Sequence, residues 1–429
     1  MVSHKDNTPH KGNDAGPQNS MHLDSTDTGV KKTVRLQGHI VDSGIMASVL
    51  DTIVSRQGTF RFEKFEIGKT NVDPTVTILT IMTQTELQMH QIMSELTQLG
   101  AFVEGENVQT DPTPADGIVP DSFYSTTNHR TVVMLQGKWV EVENQMMDSV
   151  IVVSPQFTHA VCKKPRYVKK GELVVVGRTG IHVMPREKSR GRSVFDFMGS
   201  GVSSERNATI LIKEVADVLK KTKSHHGNIC AVAGPAIIHT GGCPHLASLI
   251  RKGYVDCLLS GNALAVHDIE NALYGTSLGI SLTSGKNVEG GHRHHMAAIN
   301  EVNKQGGIKG LYECGKLTSG IFYECLNHGV DFALAGSLRD DGPLLDVITD
   351  SVLAQERYRE LLTDVDLVLM LATMLHSIAV GNMLPSYVKT VCVDIHADAV
   401  TKLADRGSFH AVGIVTDVSL FLKVLDSFL

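Results

Sequence analysis

From Glu205 to the C-terminus, short apolar runs of strand character alternate with segments of helical periodicity. This alternation predicts a parallel sheet, because parallel neighbours must be joined by a crossover, which is usually a helix. Six runs are predicted strands: Ile229–Ala233, Val255–Leu259, Asp331–Ala335, Leu367–Leu371, Val388–Val393 and Ala411–Val415. Six segments are predicted helices: Ala208–Lys221, Gly242–Lys252, Ser319–His328, Ala354–Thr363, Asp398–Arg406 and Asp417–Leu425. We therefore predict an α/β fold with a doubly wound, mostly parallel sheet over residues 205–429.

The chain before this region divides into a polar tail and two smaller units. Residues 1–32 are rich in Asn, Asp, Ser, Gly and His and are predicted to be a disordered tail. Residues 33–105 follow the order β-α-β-β-α of a ferredoxin-like module, and residues 113–186 carry the short β-branched runs of a small β-rich domain. The polar stretch Glu104–Asp121 is interpreted as a linker. The basic segment Arg186–Ser204 is either a mobile loop that closes over a charged ligand or a plain connector.

Composition and charge exclude several classes of function. A net charge of −6 over 429 residues, with interspersed Lys and Arg, leaves no basic face for nucleic acid. No apolar stretch is long enough to span a bilayer, and the first thirty residues lack the apolar core of an export signal. The seven cysteines are scattered and odd in number, as in a cytosolic protein with reduced thiols. We expect a cytoplasmic protein that acts on a small molecule, without membrane or nucleic-acid partners.

Small and acidic residues follow the predicted strands, where the ligands of doubly wound sheets bind. The stretches Gly234–Gly242 and Ser260–Asp268 are predicted loops that lead towards helices, and their Gly and Ala let a phosphate or a ring approach the backbone. Asp394 follows the fifth run, where a carboxylate can accept hydrogen bonds from a ribose diol. Asp417 is either a ligand contact or only the N-cap of the last helix. Since a G-x-G-x-x-G fingerprint is absent, we expect a different strand order, of the kind used by the deoxyhypusine-synthase-like NAD-binding fold.

The histidine-rich segment Glu289–His295 raises the question of a metal site. Its histidines lack the i, i+3 or i, i+4 spacing to a carboxylate that metal ligands on a helix prefer, so no metal is predicted. Imidazoles beside a substrate or a cofactor phosphate are the favoured interpretation. Neither a G-x-S-x-G elbow nor a cysteine at an electropositive helix start is evident, which argues against covalent hydrolase chemistry.

Four longer segments carry a more specific signal. They are AGPAIIHTGG (Ala233–Gly242), LLSGNALAVHDIENALYGTSLG (Leu258–Gly279), GGHRHHMAAIN (Gly290–Asn300) and LATMLHSIAVGNMLP (Leu371–Pro385). Together they resemble the archaeal-type ornithine cyclodeaminases, a family related to the conserved domain of lysine–oxoglutarate reductase/saccharopine dehydrogenase. The chain is also similar to the C-terminal part of the cyanobacterial arginine dihydrolase/ornithine cyclodeaminase fusion enzymes. The likeness covers about residues 33–429.

The resemblance implies an NAD-dependent ammonia-lyase that converts L-ornithine to L-proline and ammonia, in a homo-oligomer such as a dimer or tetramer. Hydride leaves the carbon that bears one amine, the other amine attacks the resulting imine, ammonia departs, and the cyclic imine recovers the hydride. The NAD contacts that the resemblance implies are Asn262, Ala263, Asp341, Thr373, Met374, Leu375, His376, Asp394, Asp417 and Val418.

Such a reaction needs a base near the nicotinamide to deprotonate the substrate amine. The candidates are His267, Asp268, Glu289 and His292, each of which can equally be a helix cap or a solvated loop residue. Arg339 could meet a carboxylate or the pyrophosphate. Two alternatives stay open: an NAD-dependent amino-acid dehydrogenase of the saccharopine type, and a non-catalytic sensor of NAD or an amino acid.

Overall fold

The structure is a computed structural model. It describes residues 29–41, 43–70, 73–184, 208–282, 286, 288, 291–340, 342–405 and 411–429, with the backbone alone for His292, Ala404 and Asp405. Most of the predicted tail and the whole of the segment Arg186–Ser204 lie outside these residues. None of the described helices is long and apolar enough to cross a bilayer.

A three-stranded antiparallel sheet and two helices form the N-terminal part. The elements are β1 (Val30–Gly38), α1 (Ile45–Ser55), β2 (Thr59–Glu66), β3 (Thr75–Thr83) and α2 (Glu86–Gln98). The strand order is β1-β3-β2, so β2 is an edge strand. Alternate residues of β3, such as Leu79 and Ile81, are fully buried against Ile92 of α2 and its neighbours. β1 starts earlier than predicted because Val30 already pairs with Thr83.

Seven short strands form a second sheet. They are β4 (Gln109–Pro112), β5 (Arg130–Leu135), β6 (Lys138–Glu143), β7 (Val150–Val153), β8 (Ala160–Lys163), β9 (Leu173–Val176) and β10 (Ile181–Met184). The order is β10-β5-β6-β8-β7-β9-β4, and only β6 and β8 are parallel. The interpretation of Glu104–Asp121 as a linker is corrected, since β4 lies within it and pairs with β9. An edge strand can be polar and can hold Pro112, because one of its sides faces water.

The C-terminal half contains the predicted parallel sheet. Its strands are β11 (Asn228–Ala233), β12 (Cys257–Gly261), β15 (Asp331–Ala335), β16 (Val347–Ile348), β17 (Val365–Leu371), β18 (Lys389–Asp394) and β19 (Ala411–Val415), while β13 (Thr276–Ser277) and β14 (Ile280–Ser281) form a separate hairpin. The order is β16-β15-β12-β11-β17-β18-β19, and every pair is parallel. The predicted α/β class and the doubly wound, parallel sheet are confirmed.

Six of these strands follow the order 3-2-1-4-5-6 of common dinucleotide-binding folds, and β16 adds one edge. The expectation of a different strand order was therefore wrong. A glycine fingerprint belongs to a single loop, whereas the strand order follows from the short, right-handed crossovers of the whole sheet.

Helices cover both faces of the parallel sheet. They are α3 (Ala208–Ser224), α4 (Ala236–His239), α5 (Cys243–Arg251), α6 (Asn262–Tyr274), α7 (His294–Lys304), α8 (Ile308–Glu313), α9 (Ile321–His328), α10 (Ser351–Leu361), α11 (Met374–Gly381), α12 (Ala397–Asp405) and α13 (Val418–Phe428). In β11, Ile229 and Ala231 enter one buried core, and Cys230 and Val232 enter the core on the other side.

One helix was not expected. The stretch Ser260–Asp268, predicted as a small-residue loop that leads towards a helix, is already helical from Asn262, where α6 begins, and every residue from Leu264 to Glu270 is buried. A helix that is buried on all sides lacks an amphipathic period, so its sequence gives no periodic signal. This helix positions the site described next.

Candidate active site

The chain reverses its direction across the sheet between β11 and β17, and doubly wound sheets bind their ligands in the crevice beyond the carboxyl ends of such strands. Backbone and rings approach closely there. A Cβ on Gly234 would lie 2.1 Å from the carbonyl oxygen of Ala372, and a Cβ on Gly261 would lie 2.9 Å from Cε1 of His376. Ala372 has a φ of 50°, in the left-handed region, so the loop after β17 turns sharply. Glycine is required at two points of this crevice by space alone.

His376 forms one wall of the crevice at the start of α11. Its Nδ1 lies 3.0 Å from Oγ1 of Thr373, and burial lowers the pKa of the ring. The ring is therefore neutral at pH 7. The hydroxyl of Tyr358 donates a 2.5 Å hydrogen bond to the carbonyl oxygen of Ser260, just before the turn into α6. Thr373 and His376, two predicted cofactor contacts, thus lie beside the end of β12.

Asn262 and Asp394 lie at the same edge of the sheet. Asn262 is buried at the first position of α6, and its Oδ1 accepts a 3.1 Å hydrogen bond from the backbone N–H of Leu344. Asp394 ends β18, and its Oδ1 accepts a 2.9 Å hydrogen bond from the N–H of His396. Both side chains therefore hold local backbone at the carboxyl ends of the strands.

The other predicted cofactor residues differ in their exposure. Asp417 is the N-cap of α13 and accepts a 2.9 Å hydrogen bond from the N–H of Leu420. Val418 is buried, and Asp341 lies outside the described residues. Ala263 is partly buried, and Met374 and Leu375 are exposed.

A buried group of histidines and one carboxylate lies further along α6. We call His239, His267, His295 and Glu270 the imidazole cluster. The ring centroids of His239 and His267 are 4.5 Å apart, and those of His267 and His295 are 4.9 Å apart. His239 ends α4 after β11, His267 and Glu270 are one helical turn apart on α6, and His295 belongs to α7. Three separate helices thus bring the cluster together.

Glu270 is fully buried at the centre of the cluster. Its Oε1 accepts hydrogen bonds from the Thr276 hydroxyl (2.8 Å) and the Gly279 N–H (2.9 Å), and its Oε2 accepts one from the Leu278 N–H (3.1 Å). Burial alone would raise the pKa of this carboxyl, but the neighbouring imidazoles of His267 and His295 and these donors together lower it far below its usual range. Glu270 is therefore a buried anion at every physiological pH.

Two buried ring nitrogens point towards this anion. Nδ1 of His267 lies 3.5 Å from Oε2 of Glu270, and Nδ1 of His295 lies 3.6 Å from the same oxygen. Neither nitrogen has a hydrogen-bond partner of normal length among the described residues. His267, Glu270 and His295 each offer one ligand atom, and these three atoms all lie within 4.8 Å of one another. Two imidazoles and a carboxylate are a set of groups that suits a cation. The ammonium group of an amine is one such cation, and the absence of a metal stays a prediction.

His239 differs from its neighbours. Its Nδ1 lies 2.7 Å from the Ser277 hydroxyl oxygen, and burial, followed by the nearby His267, lowers the pKa of its ring. His239 is therefore an uncharged imidazole at pH 7 and can accept a proton. The β13–β14 hairpin, which carries Ser277, also contacts His294, whose Nδ1 lies 2.9 Å from Oγ1 of Thr276.

The four predicted catalytic residues have different positions. His267 lies in the imidazole cluster. Asp268 is fully buried elsewhere: its carboxylate accepts hydrogen bonds from the N–H groups of Ile321 (3.0 Å) and Phe322 (2.9 Å) at the start of α9 and from the Cys243 thiol (3.1 Å). Burial raises the pKa of this carboxyl. Glu289 and the side chain of His292 lie outside the described residues, and Arg339 is exposed.

Glu270 and His239 were not among the predicted catalytic residues. The signal for Glu270 was its i, i+3 spacing from His267, which places both side chains on one helix face. That spacing has no meaning in a segment interpreted as a loop. His239 follows the first strand of the sheet, and only the packing of α4 on α6 brings it to the cluster.

Comparison with known proteins gives family matches over residues 31–425. The family models "LOR/SDH bifunctional enzyme conserved region", "Arginine dihydrolase ArgZ-like, C-terminal, first region" and "Arginine dihydrolase ArgZ-like, C-terminal, Rossmann fold" match residues 31–129, 130–212 and 213–425. The ornithine cyclodeaminase of Methanothermobacter thermautotrophicus is 51% identical over 396 residues, which cover 92% of this chain and 96% of that protein.

Two cyanobacterial-type proteins extend the comparison. The bifunctional arginine dihydrolase/ornithine cyclodeaminase ArgZ of Synechocystis sp. is 43% identical over 403 residues, or 92% of this chain and 57% of that protein. The crystal structure of the ternary complex of AgrE with ornithine and NAD+ is 41% identical, with a TM-score of 0.51, and the match covers 94% of this chain and 58% of that one.

Proposed function

Because this chain belongs to the ornithine cyclodeaminase family, we propose that its crevice and imidazole cluster together convert L-ornithine to L-proline and ammonia. NAD is the cofactor, and the enzyme is an NAD-dependent ammonia-lyase. The observation that carries the assignment of the site is the position of the cluster. Its residues His267 and Glu270 lie about two turns along α6 from Gly261, which ends β12 at the proposed NAD site.

The glycines at the ends of β11 and β12 hold the loop after β17 at the proposed NAD site. Gly234 and Gly261 let Ala372 and the ring of His376 pack directly on the strand ends, which places Thr373 and His376 where the cofactor is expected. NAD, when bound, supplies the hydride acceptor and later the hydride donor. Asp394 uses one oxygen for the N–H of His396, and we propose that its other oxygen accepts a hydrogen bond from a ribose hydroxyl. The further proposed contacts are Asn262, Ala263, Asp341, Thr373, Met374, Leu375, His376, Asp417 and Val418.

The imidazole cluster supplies the charge and the proton acceptors that ornithine needs. Ornithine carries two ammonium groups, and the buried anion of Glu270 attracts a cation into the cluster. The first amine must be uncharged before its carbon can lose a hydride, and the neutral ring of His239 accepts that proton. Ring closure requires the second amine to be uncharged too, and the departing ammonia needs a proton returned. We assign these two transfers to His267 and His295.

Glu270 acts through these rings and is proposed to be a positioning residue. An Nδ1–H on His267 and on His295 would point at Oε2 of Glu270, which leaves each Nε2 as the proton acceptor. Asp268 is proposed to hold α9 in place. Glu289 and His292 stay predicted bases.

The assay that tests this function follows products. Purified protein incubated with L-ornithine and NAD should release proline and ammonia in equal amounts, with no lasting rise in NADH absorbance. A dehydrogenase of the saccharopine type would instead accumulate NADH. A sensor would bind NAD and leave ornithine unchanged, and either result would contradict the proposal.

We also propose the domain bounds, the location and the assembly of the protein. Residues 33–105, 113–186 and 205–429 are proposed as domains, since each range contains most strands of one of the three main sheets and most of a buried core, although β1 starts at Val30 and β4 (Gln109–Pro112) lies before the second range. A cytoplasmic location agrees with the seven free cysteines. A homo-oligomer, a dimer or a tetramer, is the expected assembly.

Substituting Gly261→Ala is expected to weaken NAD binding about tenfold, or about 1.4 kcal/mol. The new Cβ would lie 2.9 Å from Cε1 and 3.1 Å from Nε2 of His376 and would push this ring into the crevice. Gly381→Ala is the matched control, because its Cβ would meet only Cε of Met370 at 3.9 Å. Calorimetric titration with NAD measures both variants. Equal affinities for the two would show that NAD binds away from this wall.

A further inference from the structure

The edge strand β2 carries an unusual surface. Among the described residues it pairs only with β3, so its other side is open. Phe62 and Phe65 are 40% and 42% exposed, and Ile67, just beyond the strand, is 54% exposed. The rings of Phe60, Phe62 and Phe65 contact each other in a row, with centroids 5.6 Å and 5.2 Å apart. Exposed edge strands with apolar side chains are the templates on which other chains pair.

A bulge gives this strand two distinct faces. The register of β2 on β3 shifts between Phe62 and Lys64. Phe62 pairs with Leu79 and Phe65 with Thr77, two fully buried residues of β3. On a regular strand, residues three apart would face opposite sides, so the bulge is what places both phenylalanines on the same side.

The charged residues occupy the opposite face. Arg61 and Glu63 form an ion pair of 2.7 Å, and Lys64 and Glu66 form one of 3.0 Å. Their order along the strand is plus, minus, plus, minus. An antiparallel copy of the same strand, centred between Glu63 and Lys64, would read minus, plus, minus, plus. The strand is therefore complementary to itself.

We propose that the β2 strands of two copies of this chain pair antiparallel about a twofold axis between Glu63 and Lys64. In this register Arg61 lies opposite Glu66 of the second copy, Glu63 opposite Lys64, Phe62 opposite Phe65, and Phe60 opposite Ile67. Phenylalanines face phenylalanines on one side, and four ion pairs form on the other. The two three-stranded sheets become one continuous six-stranded antiparallel sheet. Such an isologous contact is the usual geometry of a twofold dimer.

The test uses two full-length variants that separate charge from shape. R61E/K64E makes all four positions acidic, and E63R/E66K makes all four basic. In either variant alone, every cross-strand charge pair becomes repulsive. Mixed together, the two variants place an acidic strand opposite a basic one. We expect each variant alone to have half the mass of the wild-type assembly by native mass spectrometry, and the mixture to recover the wild-type mass as a heterocomplex.

Separate controls test whether the variants fold and whether another segment of the same chain covers β2. The circular dichroism spectrum of each variant should match that of the wild type, and each variant should still unfold in a cooperative thermal transition, because the four replaced side chains are exposed. Hydrogen exchange on the unmodified protein needs no substitution: the β2 amides should be protected at high protein concentration and lose that protection on dilution. A wild-type mass of 46.5 kDa, unchanged masses in both variants, a mixture that does not recover, or protection independent of concentration would each overturn the proposal.

Discussion

Replacing Glu270 with glutamine is expected to lower kcat about 10²–10⁴-fold, the range that positioned proton transfer contributes in enzymes. Glutamine has nearly the same shape but no charge, and its amide nitrogen cannot accept the N–H of Leu278 or Gly279. The cluster loses the anion that attracts the substrate ammonium and that orients His267 and His295. Steady-state kinetics with L-ornithine measures the loss.

A positioning role predicts more than a loss of rate. Glu270 raises the pKa of His239 against the larger effect of burial, so its removal lowers that pKa further. The acid limb of the pH profile of kcat should therefore move to lower pH in Glu270→Gln, while NAD affinity stays unchanged. Glu301→Gln is the matched control, because Glu301 lies on α7 and pairs with Lys316 outside the cluster. A fall in rate with no change in the pH profile would contradict the assigned role.

Replacing Asp268 with alanine is expected to cost about 3 kcal/mol of the free energy of unfolding. The carboxylate is fully buried, and its loss leaves the N–H groups of Ile321 and Phe322 without an acceptor where water cannot replace it. A buried donor left unpaired costs about 1–3 kcal/mol. Denaturant unfolding in the absence of NAD measures the change in midpoint.

An exposed cap that accepts the same number of backbone N–H groups is the matched control. Asp350 accepts hydrogen bonds from the N–H groups of Val352 and Leu353 at the start of α10, but it is exposed, so Asp350→Ala should cost only about 1 kcal/mol. The comparison also separates the two interpretations of Asp268. Wild-type stability together with abolished turnover would mark Asp268 as the predicted base and would contradict its structural role.

The parallel sheet was predictable because strands that are buried on both faces consist of continuous apolar runs in the sequence. Val391 and Val393 face one core and Cys392 the other, and no polar residue interrupts them. The structure added β16, a two-residue edge strand, because only its pairing with β15 defines it. The resemblance of four sequence segments to the ornithine cyclodeaminases indicated the family and the cofactor without any knowledge of the geometry.

The imidazole cluster was determined by tertiary structure. The sequence offered His267 and a histidine-rich segment, but it gave no reason to join them to His239 or to a carboxylate. α6 is buried on all sides, so it shows no amphipathic period, and its small residues resemble a loop. Once Asn262–Tyr274 is a helix, Glu270 lies one turn from His267, and packing brings His239 and His295 to the same place. Local patterns determined the strands, whereas contacts between distant segments decided which residues form the site, because burial and charge at a point depend on every element packed there.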